Sequence, residues 1–202
     1  MYIIVSPTHL TKLGFIDKET VSSQYEINFL MRMALQKIPF ISFAYVLEKY
    51  RFALFRNQIN TSTELNAKWW EMRYQYSGIM PPVPRHDPEN FDPGAKFHIA
   101  TNVPYARYLI AHVLQFQFYR AMCRLQGDTK RLLMCDIHGN KYVGEKFRQM
   151  LALGSSKPWP DVLKTLTGEN RLEPQAILDY FKPLYKWLKM ENLARSYPVD
   201  WN

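Results

Sequence analysis

Between Ile27 and Leu54 the apolar residues fall at helical spacing. Ile27, Leu30, Met31, Ala34, Ile38, Ile41, Ala44, Tyr45, Leu47 and Leu54 form a run dominated by steps of three and four. A run this long with that period is a helix and cannot be an alternating strand. Ser23-Gln-Tyr-Glu26 stands in front of it in the form of a capping box. Pro39 lies inside and predicts a kink, because it removes a backbone donor and clashes one turn back.

The rest of the chain follows the same pattern. A second helix is predicted from Thr61 or Ser62 through Trp69, Trp70 and Tyr74, ended by Gly78. Pro81 to Arg85 (PPVPR) must be extended, since each proline restricts the residue before it. Residues 86 to 102 are predicted to be a long loop containing Asp92-Pro-Gly, and a loop of that length in a compact domain is usually functional or disordered. Further helices are expected over Val103–Gln126, stopped by Gly127, and Lys141–Leu153, closed by Gly154. Two more are expected from Trp159-Pro160 and over Pro174–Leu193, the latter with Pro183 inside. The fold class is therefore all-α, with no internal repeat and no low-complexity tract.

Composition bounds the function. With 202 residues, the chain has room for about one domain, and 47% hydrophobic residues exclude disorder for most of it. No window of about 18 apolar residues is found, so no membrane segment is expected. The start, MYIIVSPTHL, lacks the form of a secretory signal. The net charge is +8, but the basic residues are scattered apart from a modest cluster over Lys182–Arg195. Nucleic-acid binding needs charge gathered on one face, so no nucleic-acid partner is expected.

Familiar catalytic spacings are missing. The five histidines, His9, His86, His98, His112 and His138, include no pair four apart, so there is no HExxH zinc helix. Two cysteines without paired histidines cannot complete a structural zinc site. Cys123 and Cys135 allow either a disulfide closing a short loop or two reduced buried thiols. Asn60-Thr61-Ser62 is an acceptor tripeptide for N-glycosylation.

One segment concentrates chemistry. If Lys96-Phe-His98 is extended, Lys96 and His98 point the same way. On the helix that follows, Tyr105, Tyr108 and His112 share a face at steps of three and four. A cation, an imidazole and two phenols would then converge, a set suited to an anionic ligand end beside a polarised carbonyl. The same residues also read as a surface lysine, a core histidine and packing tyrosines.

Six stretches carry a resemblance: INFLMRMALQKIPFISFAY, WWEMRYQYSGIMPPVPR, FDPGAKFHIATNVPYARY, LQFQFYRAMC with MCDI, KPWPDVLKTLTG and ILDYFKPLYKWLKMEN. In this order, and above all in FDPGAKFHI with VPYxRY, the chain resembles the angiotensin-converting enzyme family of zinc peptidyl-dipeptidases. The likeness runs from about Ser6 to Leu193. It implies the C-terminal part of a helical, two-lobed peptidase domain with a deep cleft, so residues 1–202 are expected to form one incomplete domain.

The resemblance also implies roles. Lys96 and Tyr105 match the residues that hold the free C-terminal carboxylate of a peptide substrate. His98 matches the histidine that bonds the substrate backbone, and Tyr108 the tyrosine that stabilises the oxyanion. Phe40, Phe43 and Phe97 match aromatic pocket walls. Arg107 matches the arginine of one chloride site, and Trp69 and Arg73 match ligands of another. Cys123 and Cys135 match a disulfide pair. An extracellular or membrane-anchored location, with Asn60 as a glycan acceptor, is implied in the same way.

Two departures qualify this. His112 stands where the family commonly has an apolar aromatic residue facing the end of the substrate. The zinc helix and the third zinc ligand lie upstream, in the family, of the stretch that begins here. Metal hydrolysis needs zinc to activate water and polarise the carbonyl, so the chain alone is expected to be inactive. Two readings remain: a piece of an active dipeptide-releasing peptidase, or a truncated, non-catalytic relative that binds peptides.

Overall fold

The computed structural model describes residues 6–17, 22–85, 89–128 and 131–200. Met1–Val5 and His86 thus lie outside the described residues. All regular structure among the described residues is helical, as the periodicity predicts. The helices are α1 (Pro7–Lys12), α2 (Ser23–Phe55), α3 (Leu65–Ser77), α4 (Phe97–Ala100), α5 (Ala106–Leu125), α6 (Lys141–Leu153), α7 (Trp159–Thr167) and α8 (Gln175–Arg195). Short 3-10 turns cover Asp92–Ala95 and Leu132–Met134.

These form two compact units. Of the described residues, one comprises those up to Arg32 and those within Val113–Tyr197, and the other those within Met33–His112 and residues 198–200. In the first, Ala121 and Met122 of α5 pack on Val143 and Met150 of α6 and Leu166 of α7. Phe116 meets Tyr180 and Phe181 of α8 with ring centres 5.2 and 5.7 Å apart. A disulfide joins Cys123 to Cys135, which resolves the choice the cysteine spacing left open. Helix α1, which the periodicity does not announce, is held to this loop. Ser6 Oγ caps it by accepting the His9 amide at 3.2 Å, Thr8 donates to the Met134 carbonyl, and Lys12 pairs with Asp136 at 2.8 Å.

In the second unit Val46, Tyr50 and Ala53 of α2 pack with Ile59 and Trp69. Tyr50 Oη donates to the Leu65 carbonyl at 2.9 Å and fixes the start of α3. Beside them Ala44, Leu47 and Tyr105 form a second buried cluster. Among the described helices only α2 is long and apolar enough to cross a membrane, which the apolar-window argument overlooked. Its Leu30, Ala44, Val46, Leu47 and Tyr50 are fully buried, while Leu35, Phe52 and Phe55 are exposed.

Three predicted boundaries move, each for a local reason. Helix α2 is capped by Ser22, whose Oγ accepts the Tyr25 amide at 3.2 Å, while Glu26 pairs with Arg131 and takes no part in a capping box. Helix α3 begins at Leu65 because Asn60 Oδ1 accepts the Ser62 amide and Glu64 reaches back to the Asn60 amide, so side chains outcompete the first helical turn. Helix α5 begins at Ala106, since Pro104 disfavours a helical Val103. Pro39 remains inside α2, as expected.

Candidate peptide-terminus site

The segment predicted to be a long loop is a built structure. Asp92 sits at its root. Its Oδ2 accepts from Trp70 Nε1 at 2.7 Å, Arg85 Nε at 2.7 Å and Asn66 Nδ2 at 3.2 Å, and its amide donates to Asn66 Oδ1 at 2.8 Å. Burial raises the Asp92 pKa, but the bonds from Trp70, Arg85 and Asn66 outweigh it and hold the carboxyl below the ordinary range. Gly94 completes the turn. A Cβ there would lie 2.5 Å from the Phe91 ring, so the ring's close approach calls for glycine.

This turn delivers Lys96 in an extended conformation, and α4 follows at once. His98 therefore sits on a helical turn, which corrects the extended geometry assumed for Lys96 to His98. The two side chains converge nonetheless, on Tyr105. Lys96 Nζ lies 5.1 Å from the Tyr105 ring centre, and the His98 ring lies 4.7 Å from it, nearly perpendicular. Tyr108 is 4.8 Å from Tyr105 ring to ring, and its hydroxyl is 3.4 Å from His98 Nε2. Tyr105 itself precedes α5, and its carbonyl accepts the Tyr108 amide.

A buried ion pair fixes that junction. Glu48 Oε2 accepts the Tyr105 amide at 2.8 Å. Arg51 holds Glu48 through Nη1 at 2.9 Å and donates from Nη2 to Asn102 Oδ1 at 3.0 Å. Asn102 takes a left-handed φ of 54°, which an asparagine tolerates. The brace ties the connection between α4 and α5 to α2.

Aromatic rings extend the cluster. Phe43 is 5.9 Å from Tyr105 and edge-on, with Lys96 Nζ 5.5 Å from its centre. The Arg73 guanidinium lies 5.2 Å from Phe43 and 5.8 Å from Trp69. Phe40 sits 6.0 Å from Tyr105 and stacks on His112 at 4.3 Å. Phe97 touches the His98 ring edge-on but is 62% exposed, so it forms no packed wall in this chain. Arg107 is exposed at the start of α5, and its charge reaches His98.

The electrostatics favour an anion. Burial, then the charges of Lys96, Arg107 and Arg51, lower the His98 pKa, and its buried Nδ1 has no partner among the described residues. Burial, then Tyr108, raises the Tyr105 pKa and keeps its phenol a donor. Burial lowers the Arg73 pKa. Among the described residues no carboxylate pairs with Lys96, Arg73 or Arg107. Cations without an acidic neighbour, two of them (Lys96 and Arg73) half-buried, suit a carboxylate or a halide.

Metal chemistry is another matter. Among the described residues no three of His, Cys, Asp and Glu stand together as a ligand set. Among the described residues no set fits zinc. Asn60 stands apart from the cluster, exposed on the turn before α3, and Cys123 and Cys135 belong to the other unit. Asp92 with its three donors, and the Glu48–Arg51–Asn102 brace, have no signature in the sequence motifs.

The model of the angiotensin-converting enzyme family matches residues 1–201. The angiotensin-converting enzyme of Mus musculus is 42% identical over 98% of this chain, and that of Bos taurus 39% over 98%. The angiotensin-converting enzyme-related protein of Drosophila melanogaster is 42% identical over 98%. The chain spans only 15% of the mouse and bovine relatives and 32% of the Drosophila one.

Proposed function

The chain belongs to the angiotensin-converting enzyme family of zinc peptidases, and we propose that it forms the wall of a peptidyl-dipeptidase cleft that grips the C-terminal end of a peptide. The observation that carries this is the convergence of Lys96, His98 and Tyr108 on the Tyr105 ring. Lys96 Nζ and the Tyr105 hydroxyl donate to the terminal carboxylate, and a charge-assisted pair of that kind restricts binding to a chain end. His98 bonds the substrate backbone, and the Tyr108 phenol donates to the oxyanion formed at the scissile carbonyl. One such donor typically contributes about 100-fold or more in rate.

Phe40 and Phe43 line the pockets for the last two residues. Arg73 with Trp69, and Arg107 separately, hold chloride, which fixes the orientation of Phe43 and of the tyrosines. Asn60, exposed and on a turn, is the glycan acceptor of an extracellular protein, in keeping with the Cys123–Cys135 disulfide. Residues 1–202 act as one part of a larger catalytic domain, and the chain alone binds peptide without hydrolysing it.

Calorimetric titration of the purified chain tests this. An N-acylated dipeptide with a free carboxylate is expected to bind, its C-terminal amide is not, and Lys96→Met is expected to abolish the difference. Equal binding of acid and amide would overturn the assignment. Peptide hydrolysis by the chain with zinc added would overturn its inactivity.

A further inference from the structure

A cavity of about 660 Å³ lies between α5 and α6, in the unit that holds the disulfide. It shares no residue with the cluster around Tyr105. Tyr119, Met122 and Val143 are buried at its floor, and Phe118, Ile137 and Phe147 stand half-buried along its sides. The Tyr119 hydroxyl donates to the Cys135 carbonyl, so this residue offers the cavity its ring. Exposed Gly139, Lys141 and Gly144 stand at the open rim. A cavity of this size, apolar with few polar groups, fits a small organic molecule.

Gly144 keeps the rim open. It lies inside α6, where glycine is a weaker helix former than alanine. Nothing stands within 4 Å of where its Cβ would be, so no close approach calls for glycine there, in contrast to Gly94. The missing side chain leaves open space beside the cavity instead. The charge at the rim has one sign, since Lys141 is the single charged residue among those lining the cavity. The carboxylates near it in sequence are engaged elsewhere, Glu145 by Arg148 and Gln149, and Asp136 by Lys12 and His9. The rings of Phe118, Tyr119 and Phe147 and the pliable thioether of Met122 suit a flat aromatic body. One unopposed ammonium beside them suits a single negative charge on that body.

We propose that this cavity binds a small aromatic monoanion, an aryl carboxylate or sulfonate, with its rings among Phe118, Met122 and Phe147 and its anionic group at Lys141. Nothing in this site depends on Lys96 or Tyr105 holding a peptide carboxylate.

Titration of the isotope-labelled chain with 2-naphthoate, followed by amide NMR, tests it. Saturable shifts are expected at Gly139, Lys141 and Gly144. The neutral alcohol of the same shape, 2-naphthalenemethanol, is expected to bind about threefold to fivefold more weakly, the size of a partly exposed charge contact. Lys141→Met is expected to bring that ratio towards one. Gly144→Leu fills the rim, so it is expected to abolish the shifts while raising the urea midpoint, leucine being the better helix former. Shifts absent from the cavity or confined to residues 96–108, equal binding of acid and alcohol, or undiminished binding by a folded Gly144→Leu chain would each overturn the site. The comparison of acid and alcohol on the unsubstituted chain decides the matter even if a variant does not fold.

Discussion

Glu48 accepts the backbone amide of Tyr105 at 2.8 Å, although 57 residues separate them in the chain. With Arg51 clamped on Glu48 and reaching Asn102, this contact sets where α5 begins and hence where Tyr105 and Tyr108 stand. The Arg51 side chain is 5% exposed and that of Glu48 14%, so the pair is largely shielded from water. Removing one member of a buried pair strands the other charge, at a cost of about 3 kcal/mol or more. Glu48→Ala is expected to lower the urea midpoint accordingly and to weaken carboxylate binding. A midpoint unchanged from the parent chain would show that the brace is dispensable.

Asp92 makes the site acid-sensitive. Its folded pKa lies below the ordinary carboxylate value of about 4, because three donors outweigh burial. The unfolded chain therefore takes up this proton first as the pH falls. The stabilisation is complete above the ordinary value and is lost as the pH drops through the folded value. Asp92→Asn is expected to flatten the stability profile between about pH 5 and pH 3 while destabilising the protein at neutral pH. Profiles that run parallel would exclude Asp92 as the titrating group.

The helices were legible where a face repeats at helical spacing, and less so where side chains decide locally. The long run from Ile27 to Leu54 gave α2, and glycines marked the ends of α3 and α6. Helix α1 has only six residues and depends on Thr8 and Lys12 finding Met134 and Asp136, contacts that no local pattern announces. The site shows the same divide. Lys96, His98, Tyr105 and Tyr108 lie within one motif and come together as that motif suggests, though for Lys96 and His98 on a different backbone from the one expected. Asn66 and Trp70 beside Asp92, and Glu48 under Tyr105, come from distant segments, and a single sequence does not say which buried polar groups will meet.

The disulfide stabilises the turn that holds α1. Cys123 and Cys135 stand 12 residues apart, and a loop of about that size contributes roughly 3 kcal/mol in the chain-entropy model. Thr8, His9 and Lys12 all bond to Met134 or Asp136, next to Cys135. Reduction is expected to lower stability by that order and to speed amide exchange in α1 before α2. Uniform exchange across both helices would mean that α1 does not depend on the bridge.

His98 reports on the ligand site through its own titration. Burial lowers its pKa first, and the charges of Lys96, Arg107 and Arg51 lower it further. Its midpoint by NMR is expected below the ordinary histidine value of about 6.5. The sign for stability follows: above that value both folded and unfolded chains are neutral at this ring, and below it the unfolded chain protonates first, so stability falls with pH. Lys96→Met removes one of the depressing charges and should move the midpoint up. A bound carboxylate near Lys96 should do the same by supplying a negative charge beside the ring. If the substitution leaves the midpoint where it was, Lys96 and His98 do not share a site, and the arrangement proposed for the peptide terminus fails with it.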